Sequence, residues 1–140
     1  MKNLLLIFLS LFCGLLFGSI INMSIIKVGN SMITLPDGAD NSSIEGIKNT
    51  IHLFQFKHFI TPLLAHSLGS LTGGFVAAWI APINKLLIAI MIGVFFMIGG
   101  AVMVFQLPSP IWFNIIDLTL AYLPMAWIGH KIFFKFRTNN

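Results

Sequence analysis

The chain has 140 residues, 57% of them apolar and 9% charged, with a net charge of +4, whereas a water-soluble domain carries roughly 25% charged residues. So few polar residues cannot coat a soluble globule, and the apolar runs far exceed the about 4–8 residues of a buried strand, so an integral membrane protein of one domain is expected. Cys13 is the one cysteine and lies inside an apolar run, which excludes an intrachain disulfide.

Four stretches, near 4–26, 59–81, 86–106 and 111–133, approach the roughly 20 residues that span a hydrocarbon core. Lipid offers the backbone no hydrogen-bond partner, so each stretch must be helical, and the lack of alternating polarity excludes a closed barrel. The expected fold is all-α: a bundle of four transmembrane helices in a single membrane domain over 1–140, with an extramembrane loop at 27–58.

The first stretch begins like a signal peptide at Met1, Lys2 and Asn3. A signal's apolar region is about 7–15 residues long, and this run continues through Phe17, Ile20, Ile21 and Ile25, so it is expected to remain as a span. Phe12 before Cys13 also argues against a lipoprotein site. Ser10, Gly14, Gly18 and Asn22 recur every four residues and line one helix face with small or polar groups.

In the loop, Leu35-Pro36-Asp37-Gly38 signals a turn, and Ser42 with Glu45 fits a capping box for a short amphipathic helix. Ile44, Ile47, Ile51 and Phe54 share its apolar face. Lysine and arginine are too few there for strong attraction to lipid headgroups, so a lid on the bundle is expected over a lipid-binding element.

The second stretch carries Gly69, Gly73 and Ala77 as another small-residue stripe, beside His66 and Ser70. Two such stripes in adjacent spans point to close packing of the first helix on the second. Ala81–Lys85 and Gln106–Pro110 form short turns that make neighbouring helices antiparallel. Trp79, Trp112 and Trp127 lie toward helix ends, as interfacial anchors do.

Lys2, Lys85, Lys131, Lys135 and Arg137 collect on the side of both termini, with Lys27, Lys48 and Lys57 opposite, so the termini are expected to be cytoplasmic. Within the spans Asp117 is the sole acid, and placing a carboxylate at membrane depth costs at least about 2.5 kcal/mol. At about 1.5 Å per residue, Asp117 and His66 both come to lie roughly 9–10 Å below the outer boundary. Asn22 and Asn114 fall slightly shallower, and a polar cluster of Asn22, His66, Asn114 and Asp117 is expected, with Ser70 and Tyr122 as deeper members.

Such a pair either fixes helix register as a buried hydrogen bond or shares a proton. His130, beside Lys131, reads as an interfacial anchor, and His52 and His58 are too far apart in the chain for a metal site. No zinc, nucleophile-elbow or phosphate-loop motif occurs, so neither an enzyme nor a cofactor or metal is expected. The basic flanks of the spans account for the net charge, and nucleic acid is not an expected partner.

The runs LPDGAD, KHFITPLLAHSLGSLTGGFVAAWIA and LPSPIWFNIIDLTLAYLPMAWIGHK resemble a group of short bacterial inner-membrane proteins with four predicted spans and no established activity. The resemblance covers most of the chain from Asn22 onward and implies a bacterial origin and a cytoplasmic-membrane location. Small multidrug resistance transporters match in size and helix number, but their essential acid lies in the first helix, where this chain has none. Two functions fit: a non-enzymatic membrane component packing with itself or a protein partner in the bilayer, or an oligomeric permease or proton-linked carrier built on Asp117 and His66. An intramembrane enzyme using the same pair is a weaker third.

Overall fold

Long apolar runs favour a backbone that satisfies its own hydrogen bonds locally, and the described residues are helical nearly throughout. The computed structural model describes residues 2–138: α1 (Lys2–Met32), α2 (Ile44–Thr50) with a single 3-10 turn after it (Ile51–Leu53), α3 (Phe56–Ile80), α4 (Lys85–Gln106), α5 (Ile111–Leu120) and α6 (Leu123–Thr138). Four helical stretches, Lys2–Met32, Phe56–Ile80, Lys85–Gln106 and Ile111–Thr138, are long and apolar enough to cross a membrane.

Three boundaries differ from the hydropathy reading for local reasons. α1 runs six residues past position 26, because Lys27, Asn30 and Ser31 end the apolar run without breaking a helix; its last turn closes through Ile33 N–H to the Gly29 carbonyl. α2 is capped by Ser43, whose hydroxyl accepts from Gly46 N–H at 2.9 Å, and not by Ser42. Ser42 is taken by Asp40, to which it donates its hydroxyl at 2.6 Å and its backbone N–H at 2.8 Å. The fourth stretch, expected as one helix, is interrupted at Ala121–Tyr122. Pro124 has no N–H to give the Leu120 carbonyl, and its ring crowds that carbonyl, so α5 closes at Ala121 N–H to Asp117 O while α6 restarts with Ala126 N–H to Tyr122 O.

The two donors from Ser42 hold the Asp40 carboxyl below its ordinary value of 3.8. A depressed carboxylate stabilises the fold above its ordinary value and loses that contribution as pH falls through the lowered one. Protection of the Ser42 amide against hydrogen exchange, corrected for the intrinsic rate, is therefore expected to drop under acid, and Asp40→Asn should remove this dependence.

α3 is the centre of the bundle, packed against α1, α4, α5 and α6. Beyond its first two turns, where His58, Phe59 and Thr61 are buried, its buried positions are small: Ala65, Gly69, Ser70, Gly73, Gly74, Ala77 and Ala78. α1 crosses it antiparallel, and a Cβ on Gly14 would lie 2.9 Å from the Gly73 carbonyl, one on Gly18 2.7 Å from the Gly69 carbonyl. Such backbone contact replaces hydrophobic drive where the surroundings are as apolar as the interior. On the other side Gly74 meets the backbone of Ala126, and α4 packs Ile88 and Ile92 over Ala77 and Ala81. Large apolar side chains such as Leu4, Phe8, Phe105, Ile111 and Trp79 point outward instead. The turn between α3 and α4 uses Asn84 in the left-handed region, φ 48°, and Lys85 donates to the carbonyls of Ala78 and Ala81 at the end of α3, where a cation complements the helix dipole.

Candidate functional site: a buried His-Asp-Tyr cluster below a cavity

α3 and α5 enter the bundle from the same end, so residues at similar distances from their starts share a level. Phe113 and Asp117, one turn apart on α5, face α3, where the Phe59 ring packs tilted at 5.1 Å from Phe113 and His66 meets Asp117 below it. His66 Nδ1 lies 2.8 Å from Asp117 Oδ1. The break after α5 supplies the third member, because it lets Tyr122 turn back so that its hydroxyl donates to Asp117 Oδ2 at 2.7 Å. The same hydroxyl is 2.9 Å from His66 Nδ1, and the imidazole and phenol rings stack at 5.5 Å. Gly100 on α4 makes the space: a Cβ there would collide with the Tyr122 hydroxyl.

Asp117 and Tyr122 are 3% and 2% exposed, while the His66 side chain keeps 24% of its surface. With the carboxylate accepting on both oxygens, the proton of neutral His66 sits on Nδ1 and points at Asp117, leaving the Nε2 lone pair on the open side of the ring. Hydrogen bonds to a charged group contribute about 1.5–3 kcal/mol each, enough for two of them to offset the cost of the buried carboxylate.

Above the cluster lies a cavity of about 270 Å³, with His66, Asp117 and Gly100 at its depth and Leu35, Asn41 and Ile47 toward the loop. Ile51 of the 3-10 turn is buried with Phe59 and Phe113, and Ile47 and Phe54 pack onto that group, so this segment lines the cavity on the side of the loop. His58 pins this arrangement. Its Nδ1 accepts from Gln55 N–H at 2.8 Å, completing a capping box for α3, and Nε2–H donates to the Thr34 carbonyl at 3.1 Å, tying the loop after α1 to the start of α3. The Gln-x-x-His spacing at 55–58 departs from the usual Ser/Thr-x-x-Glu/Gln pattern but is the local signal that could have pointed to this role.

The structure thus brings His66, Asp117 and Tyr122 together. Asn114 lines the same cavity but bonds elsewhere: its Nδ2 donates to the Ser109 carbonyl at 3.4 Å and its Oδ1 is buried without a partner. Asn22 is not part of the cluster. It belongs to the Gly18 row of α1, and its Cβ lies 3.0 Å from one built on Gly69, so it packs in the α1–α3 contact and makes no hydrogen bond to His66, Asp117 or Tyr122. Ser70 is fully buried, yet its hydroxyl meets none of the three. Gly100 was not anticipated, since a single glycine in an apolar run carries no sign of the side chain that will fill its place. Among the described residues no three of His, Cys, Asp or Glu gather as metal ligands.

Compared with protein-family models, with curated proteins and with solved structures, the chain matches none.

Proposed function

We propose that this chain is a four-span protein of the bacterial cytoplasmic membrane, with both termini in the cytoplasm, that works as a small carrier exchanging a proton against a solute. The observation that carries this reading is the His66–Asp117–Tyr122 cluster at the base of the 270 Å³ cavity. A pair that only fixed helix register would need no cavity above it. The interrupted fourth span adds support, because broken helices beside a buried polar site are a recurring way of building solute and ion sites in transporters. Membrane insertion is supported by the outward-facing Leu, Phe and Trp side chains. The side of the termini rests on the basic residues 2, 85, 131, 135 and 137.

In this reading α2 is an amphipathic lid, Ile47 turned to the cavity and Lys48 and Glu45 to water. The competing reading, a component that binds itself or a partner through glycine-lined faces, loses its surface, because Gly14, Gly18, Gly69 and Gly73 already face one another within the chain. Four helices are few for a complete pathway, so the carrier is proposed to act as a homo-oligomer through its large apolar side chains.

The test is reconstitution into vesicles holding a pH indicator, challenged with small apolar solutes carrying a neutral, cationic or anionic end. At least one solute is expected to change lumenal pH faster than in protein-free vesicles; no response to any would reject the carrier.

A further inference from the structure

The charge inventory of the cavity is short. α1, α2, the 3-10 turn and α4 place no ionisable side chain on its wall; α3 contributes His58 and His66, and α5 contributes Asp117. Tyr122 of α6 adds a phenol that donates to Asp117. Both ring nitrogens of His58 are engaged within the chain, one accepting from Gln55 and one donating to Thr34, so neither is directed at a solute. The cluster therefore has two charge states: −1 with a carboxylate and neutral imidazole, and zero with imidazolium. Neither is positive, and no lysine or arginine lines the cavity. An anion would be repelled in one state and unpaired in the other, inside walls of low dielectric that amplify both effects.

Beside His66 and Asp117 the unfilled hydrogen-bonding capacity is that of acceptors, although Asn30, Asn41, Thr61 and Ser109, whose side chains can also donate, line the cavity as well. Asn114 Oδ1 is a buried acceptor without a partner, the Asp117 oxygens keep spare lone pairs, and His66 Nε2 carries one. A donor complements these three acceptors. Around these acceptors the wall is apolar, through Ile26, Ile33, Phe59, Val104 and Phe113. At about 270 Å³ the cavity falls just below the roughly 300–1,000 Å³ of pockets that hold drug-sized ligands, so it suits a smaller solute.

We infer that the solute is a small hydrophobic ammonium ion, its N–H groups directed at Asp117 and Asn114 and its hydrocarbon on the apolar wall. This rests on the carrier reading for its consequence, though not for its binding. A monocation is matched by the −1 state alone, so its arrival favours that state: where His66 carries a second proton, one cation in is coupled to one proton out, with no bond to carbon made or broken.

The experiment compares three near-isosteric molecules on the full chain in phosphatidylcholine nanodiscs, against empty discs, by calorimetry at neutral pH: 2-phenylethylamine, which is then protonated, 2-phenylethanol and phenylacetate. The amine is expected to bind at least about tenfold more tightly than the alcohol, phenylacetate not to saturate, and heats in buffers of different ionisation enthalpy to report proton release with the amine. Equal binding of amine and alcohol, tighter binding of phenylacetate, or saturable binding of none overturns the assignment. Asp117→Asn should erase the preference for the amine, and if that variant does not fold, the series on the unaltered protein still decides. Amine preference without solute-driven proton movement in vesicles would overturn the carrier and leave the ligand class standing; proton movement driven by phenylacetate alone would do the reverse.

Discussion

Asp117→Asn is expected to abolish solute-driven proton movement while the bundle still folds. The amide has the shape of the carboxylate and can still meet His66 Nδ1 and the Tyr122 hydroxyl, which stand 2.8 and 2.7 Å from the two Asp117 oxygens. It cannot bear the charge that stabilises an imidazolium or pairs with a cation. A positioned proton-transfer group contributes about 10²–10⁴-fold to rate, so exchange should fall to about one-hundredth or less. Loss of charge assistance in the two hydrogen bonds should cost about 1–3 kcal/mol of stability, read by titrating the purified protein with denaturing detergent. A variant that exchanges protons normally but is destabilised by that amount would assign Asp117 to holding α5 on α3 and nothing more. Tyr122→Phe makes a graded comparison: it removes one donor and keeps the charge, so a smaller loss is expected in both measurements.

Gly18→Val is expected to disrupt the whole bundle. The new Cβ would stand 2.7 Å from the Gly69 carbonyl and 2.8 Å from the Phe96 ring. The ring can rotate away, but the carbonyl belongs to the backbone of the central helix and can retreat only if α1 lifts off α3. Overpacking a tight core usually costs about 1–3 kcal/mol, and separation of an entire helix contact should take the loss above about 3 kcal/mol or prevent folding. Gly99→Ala is the matched control, since a Cβ there has nothing within 4 Å. Helix propensity then predicts a change within about 1 kcal/mol, toward greater stability. Equal tolerance of the two substitutions in a detergent-unfolding titration would show that α1 does not lie against α3 through this stripe.

The positions that the two variants probe differ in how far they can be read from sequence. A stripe such as Gly14, Gly18 or Gly69, Gly73 is written in local spacing, and its chemistry admits few uses besides close approach. The Gln55–His58 cap and the break at Pro124 are also local, and both follow from rules about termini and missing donors once the helix boundaries are known. The His58 bond to the Thr34 carbonyl is different: it joins positions 24 apart, and nothing in either segment marks the other. Gly100 and Tyr122 stand in the same relation, a gap and its occupant on separate helices.

The four long apolar helical stretches and their order follow from the sequence alone, because a backbone in apolar surroundings has no partner but its own turns. Depth does too, since the rise per residue is constant, and for this reason His66 and Asp117 could be placed at one level before any contact was known. Rotation about each helix axis is another matter. It is set by which neighbours meet, and only the packed structure turns Asn22 into the α1–α3 contact, brings Tyr122 back onto Asp117 across the break, and leaves a cavity above them where matched depth alone would have filled the space with side chains.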